Sequence, residues 1–186
     1  MDIISKNSKT GFSLNFPIEH TCDKSCPFYQ NRSCYGLKGR FLFRNVREAN
    51  ETRLAIYRKY PATYFEMLSK ELDRLSRRGI RYIRVNGIGD TPDMKWAEMF
   101  AATVAKYPEM RFWVATRKKY IWSSVGLPCN VTVRYSDGIE GATTSSVVDD
   151  PKKSSCPATV GLVKDCKECG YHCWLKDVKH VAYAKH

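Results

Sequence analysis

The chain has 186 residues, with 31 Lys and Arg against 19 Asp and Glu and a formal charge of +12. That length fits one domain with enough core to fold unstapled, and an aromatic share of 12% belongs to a globular chain, not a disordered one. No apolar run reaches the roughly 18 residues of a membrane span, and the opening Met-Asp-Ile-Ile-Ser-Lys lacks the regions of a secretion signal, so the expectation is a cytoplasmic protein with no membrane partner.

In chain order, residues 11–19 alternate apolar and polar and read as a strand. A loop carrying Cys22, Cys26 and Cys34 follows. Residues 45–59 and 61–78 read as helices, because Leu54, Ile56 and Tyr57, then Tyr64, Phe65, Leu68, Leu72 and Leu75, recur near helical spacing. Pro61 suits a first helical turn and Gly79 the position just past an end. Residues 80–86 read as a strand that ends in Gly87-Ile88-Gly89-Asp90. Thr91 is expected to cap a helix that runs to about Tyr107, with Pro92 in its first turn. Residues 111–116 and 130–135 read as strands, with a short helix between them near 119–125. Residues 142–148 form one more short strand. The tail from Asp149 has little periodicity and is expected to be organised by a metal more than by a core.

Strands alternating with helices imply right-handed βαβ units and a parallel sheet. The expected fold is α/β: a partial (β/α) barrel of four to five mostly parallel strands over residues 1–148, with a cysteine-rich, metal-bound extension over 149–186 packed on it. Ligands bind at the C-terminal rim of such sheets. The cysteine loop, Gly87 to Asp90, Thr116-Arg117 and Ser136-Asp137 all follow strands, so all four segments should meet on one rim.

Seven of the eight cysteines fall into two groups: Cys22, Cys26 and Cys34, then Cys156, Cys166, Cys169 and Cys173. An even count also suits disulfides, and Asn31, Asn50 and Asn130 begin glycosylation triplets, but both readings require a secretory route. In a reducing compartment the spacing favours metal or cluster ligation. Three thiolates leave a coordination position open; four saturate a zinc ion or a [4Fe–4S] cluster. For the first group a cluster is favoured over zinc, which would need a fourth donor such as His20. For the second, zinc and a second cluster are both open, with His172 as an alternative donor, and whether the groups make one centre or two stays open. Cys129 precedes a strand and is expected to be buried as a small apolar side chain.

The glycines of Gly87-Ile88-Gly89-Asp90 allow a ligand to approach the backbone, Asp90 can accept from an ammonium group, and Ser136 and Asp137 can grip hydroxyls. Arg40, Arg44, Arg84 and Arg117 suit an anionic substrate, a nucleotide or nucleic acid. Tyr29, Tyr35, Phe41 and Phe43 suit base stacking or core plugging. A structural or redox-sensing module that binds nucleic acid is the alternative to an enzyme.

With these motifs in this order, the chain resembles radical S-adenosylmethionine (SAM) proteins over roughly residues 12–138. The resemblance implies that Cys22, Cys26 and Cys34 bind a [4Fe–4S] cluster whose open iron takes SAM. It implies that Gly87, Gly89 and Asp90 receive the SAM amino group, with Asp90 the catalytic acid of the site, and that Ser136 and Asp137 hold the ribose. The spacing departs from CxxxCxxC: Tyr29 stands in the third place and Cys34 lies five residues later. A closer resemblance is to small cysteine-rich phage proteins of the gene product 88 type. It is carried by Cys26-Pro27, by Cys34-Tyr35-Gly36-Leu37-Lys38-Gly39-Arg40-Phe41, by the strand ending in Gly-x-Gly-Asp and by the cysteine-rich tail. It implies a phage-encoded protein of the host cytoplasm and a shared fold and cofactor, without a particular reaction.

Overall fold

The computed structural model describes residues 2–136 and 141–185. The chain opens with a hairpin of β1 (Ile4–Asn7) and β2 (Gly11–Leu14), followed by two single-turn helices, α1 (Ile18–Thr21) and α2 (Pro27–Gln30). Two 3-10 turns, Tyr35–Leu37 and Gly39–Leu42, lead into α3 (Arg44–Lys59) and α4 (Pro61–Arg77). Then come β3 (Tyr82–Val85), α5 (Met94–Val104), β4 (Arg111–Thr116), α6 (Lys119–Trp122), β5 (Val131–Ser136), β6 (Thr144–Val148) and β7 (His180–Ala184).

All seven strands form one sheet whose spatial order equals chain order, antiparallel at β1–β2 and parallel from β2 to β7. The sheet is open, and longer than the four or five strands expected. The additions are the first strand, whose Ile-Ser-Lys-Asn is too short to carry a pattern, and the last, which comes from the tail. The register sets Thr116 opposite Tyr135, Tyr135 opposite Thr144 and Thr144 opposite His180. β6 and β7 therefore begin where β4 and β5 finish and extend beyond the rim.

Side chains alternate between the two faces. Phe12, Leu14, Ile83, Val85, Phe112, Val114, Val131 and Val133 belong to the main core, with Leu54, Leu68, Leu72, Trp96 and Phe100 of the helices. Each such side chain, fully buried, stabilises by about 1.5–3 kcal/mol. Trp113 and, partly, Tyr82, Ala115 and Tyr183 face the other way, into a second cluster with Cys156, Ala158, Cys166, Cys173, Trp174 and Val181. The tail thus has a core of its own, more than expected of a segment read as organised by a metal more than by a core. It also closes the outer edge of β7: the amides of Ser155 and Cys156 donate to the Ala182 carbonyl at 3.0 and 3.1 Å.

Two local expectations are corrected. The cap of α5 is Asp93, whose carboxylate accepts from the Trp96 amide at 2.8 Å. Thr91 is buried instead, its hydroxyl accepting from Asn86 at 3.0 Å and from the Trp122 indole at 2.9 Å. Cys129 is exposed, in the turn where the Val131 amide reaches back to Pro128. No helix among the described residues is long and apolar enough to cross a membrane.

Candidate functional site

Each cysteine of the first group stands at the end of a helical turn. Cys22 closes α1, Cys26 precedes Pro27 at the start of α2, and Cys34 precedes the turn Tyr35–Leu37. The loop between is held by its own polar groups. The Asp23 carboxylate accepts from the Ser25 amide at 2.8 Å, and the Lys24 ammonium donates to the Glu19 carbonyl at 2.7 Å and to Tyr29 at 2.9 Å. The three partly buried thiols lie within electrostatic reach of one another. Burial, then the Asp90 carboxylate, then the other two thiols push the Cys22 thiol up to about 12, against the pull of Lys118. Burial also raises Cys34, opposed by the nearby amides of Gly36 and Leu37; the Leu37 amide itself donates to the Cys34 carbonyl at 3.0 Å.

The glycine turn packs directly on this loop. The Gly87 amide donates to the Leu14 carbonyl and the Phe16 amide to the Ile88 carbonyl, both at 3.1 Å, while Tyr35 donates its hydroxyl to the Gly87 carbonyl. A methyl group on Gly89 would drive into the Phe16 carbonyl, and one on Gly87 into the Asn15 side chain. These glycines therefore serve loop-to-loop packing as the structure stands.

Asp90 is 5% exposed, and its carboxylate is shared among four donors. Oδ1 accepts from the Asn86 amide group at 3.2 Å, the Thr91 amide at 2.7 Å and the Thr116 hydroxyl at 2.7 Å; Oδ2 accepts from the Arg117 amide at 3.0 Å. Its own amide donates to Thr21 at 3.0 Å. Burial raises its pKa above the ordinary carboxylate range, with the Arg117, Thr116 and Thr91 donors opposing. Asp90 thus ties the ends of β3 and β4 to α1. Beside it, Lys118 donates to the Thr91 carbonyl at 2.7 Å, and the Arg117 guanidinium lies 5.4 Å from the Phe28 ring centre.

The rim therefore gathers Cys22, Cys26, Cys34, Gly87, Gly89 and Asp90 with Thr116 to Lys118. Ser136 ends β5 on the same rim, opposite Ser145. Asp137 lies outside the described residues. His20 points its ring to Glu51, at 3.6 Å, on α3. Among the anion-binding candidates, Arg44 pairs with Glu48 at 2.6 Å, and Arg84 lies on the tail side of the sheet. Sequence reasoning missed Asn86, held at a φ of 57° as the hub between Asp90, Thr91 and Ala115. An Asn at a strand end, the commonest non-glycine residue of that backbone region, was the available signal.

The second group lies in the tail cluster. Cys156, Cys166 and Cys173 are buried, Cys169 partly so, and Cys166 senses the other three thiols. Burial, then Cys173 and Cys169, push the Cys166 thiol up to about 12. The Cys166 amide donates to Lys9 at 3.0 Å, the Trp174 indole to Ile83 at 2.9 Å, and Cys173 lies 3.2 Å from the Tyr183 hydroxyl. None of the eight cysteines is disulfide-bonded in the structure. Among the described residues no three His, Cys, Asp or Glu side chains already stand as a shell that could hold a metal ion. Both groups offer thiophilic donors by residue type, and an ion would have to draw the sulfurs together.

The family described as gene product 88 matches residues 3–160. No curated protein and no solved structure matches the chain.

Proposed function

We propose that this chain, which belongs to the gene product 88 family, is an iron–sulfur protein of radical SAM-like type. Its working [4Fe–4S] centre is held by Cys22, Cys26 and Cys34, with one position left to a small ligand, SAM by preference, and its substrate is anionic, a nucleotide or nucleic acid. The observation that carries this reading is the rim itself: three partly buried thiols on a loop strapped to a strand-end glycine turn. A purely structural centre has no need of a three-ligand set at the ligand-binding end of a parallel sheet.

When bound there, such a cluster supplies one-electron chemistry. The chain's own residues give it a polarised surround. Lys118 and Arg117 form the cationic side, suited to a ligand carboxylate. Asp90 acts as a positioning residue, because its four hydrogen bonds fix the loops that carry those cations. Ser136, on the same rim, is placed for a ligand hydroxyl.

The test is anaerobic purification with iron, sulfide and zinc quantification and electron paramagnetic resonance. Iron and sulfide at about four per rim centre are expected, lost from that centre in Cys22→Ala, Cys26→Ala or Cys34→Ala. Adding SAM should shift the spectrum, and the reduced protein should release 5′-deoxyadenosine. Full zinc occupancy without iron would refute the cluster; a loaded cluster indifferent to SAM would refute the ligand.

A further inference from the structure

The tail side of the sheet holds two arginines, Arg134 fully buried and Arg84 partly so, that the rim reading does not use. Arg134, on β5, is 0% exposed. It donates to the carbonyls of Cys173, Leu175, His172 and Thr144 at 2.9, 2.9, 3.2 and 3.4 Å, so it encircles the turn that carries Cys173. Arg84, on β3, lies with its guanidinium 4.6 Å from the Trp113 ring centre and donates to Tyr35 at 2.9 Å. Its Nε is buried with no acceptor.

Among the described residues neither guanidinium has a carboxylate within ion-pair distance. Asp177 is the acid within wider reach of Arg134. Hydrogen bonds to neutral carbonyls satisfy N–H donors but do not neutralise a charge, and an uncompensated buried cation is costly. Within electrostatic reach of both arginines are the Tyr183 hydroxyl and sulfur: Cys173 and Cys166 for Arg84, and Cys173 for Arg134, which also caps the Cys173 carbonyl. Neutral thiols would leave two positive charges unanswered. Four thiolates around a zinc ion or a [4Fe–4S] core carry a net charge of about −2, which two arginines balance.

We infer that Cys156, Cys166, Cys169 and Cys173 hold a four-thiolate metal centre, zinc or a saturated cluster, and that Arg84 and Arg134 are its counter-ions. The proposal does not rest on what the rim thiols hold, although Arg84 touches the rim loop through Tyr35. It also takes Arg84 away from the substrate, and it accounts for a cluster of cysteines in an apolar core beside two cations.

The experiment uses the full chain with Cys22, Cys26 and Cys34 replaced by Ser, so that only the tail can hold metal. If that variant does not fold, the rim thiols are kept and the tail signal is taken as the metal lost in Cys169→Ser. Metal is counted by native mass spectrometry, and its release to a chelator is timed. One tail centre per chain is expected, and Arg84→Gln should speed release at least about tenfold. Arg84→Gln should lower the melting temperature of the metal-loaded protein and raise that of the metal-free protein, because the charge it removes is compensated only in the first; Arg134→Met should show the same difference between the two forms on top of its lost hydrogen bonds. A tail that takes no zinc, cobalt or iron, or arginine changes with equal effects in both forms, would overturn the proposal whatever the rim holds.

Discussion

Two carboxylates taken out of water show how single residues carry this structure. Glu71, 8% exposed on α4, accepts from the amides of Ile3 and Ile4 and so pins the start of β1 to the helix layer. Burial nevertheless raises its pKa above the ordinary glutamate value of 4.5, with those two amides opposing. The folded state then binds the proton more tightly than the unfolded chain does. The stability linked to this group is whole below pH 4.5 and is lost as pH rises through the raised value. Glu71→Gln forfeits one of the two amide bonds and should be less stable by about 1–2 kcal/mol. That deficit should narrow as pH rises, because only the parent carries the linked loss. Thermal melts of both proteins across the acid range check it; a deficit that widens with pH would reverse the assignment. Asp90 is the same device at the rim. Its acidity was legible in the sequence as a ligand group; the four donors that occupy it were not, since Thr116 and Arg117 lie far along the chain.

At the scale of elements, the glycine turn between β3 and α5 decides how the rim is assembled. Gly89 adopts a φ of 73° and faces the Phe16 backbone, whereas Gly126 looks into open space. Gly89→Ala should therefore cost more than about 2 kcal/mol, from left-handed strain and a backbone clash together. Gly126→Ala should be within about 0.5 kcal/mol of the parent. Chemical denaturation measures both; equal effects would mean the turn is not held against α1. Sequence periodicity read the longer elements well, because α4 and β4 carry patterns that only one structure explains. α4 buries Tyr64, Phe65, Leu68, Leu72 and Leu75 on one side, and β4 has the bounds its pattern implied. It missed β1 and β7, of four and five residues, whose pairing is settled by distant partners. The cysteine groups were legible from spacing alone. Tyr35, Lys118 and Arg134 were not, because their meaning lies in contacts with residues 27 to 52 positions away.

Over the whole molecule, the charge of +12 is the property that residues and elements do not explain. Among the described residues some acids answer it on the surface: Arg44 has Glu48, Arg47 has Glu19, Arg74 has Asp2 and Lys185 has Asp149. Phe43 and Leu42, 57% and 51% exposed, lie between Arg40 and Arg44 and add an apolar component to the basic face. If the anionic substrate is nucleic acid, its affinity should fall with salt at a logarithmic slope of about −0.9 per phosphate contacted on duplex DNA. Fluorescence anisotropy over a salt series reads that slope. Binding indifferent to salt, or absent at low salt, would restrict the substrate to small anions.

A sheet laid down in chain order has a consequence for how the protein is made. Each parallel strand from β3 onward docks on a neighbour already synthesised, so the sheet can grow outward as the polypeptide emerges. The strand that locks the tail, β7, is the last to appear. Until it pairs with β6, the edge contacts of Ser155 and Cys156 with Ala182 have no partner, and the sulfur-lined face stays reachable from solvent. Any ion destined for that face would enter most readily before the five residues of β7 dock.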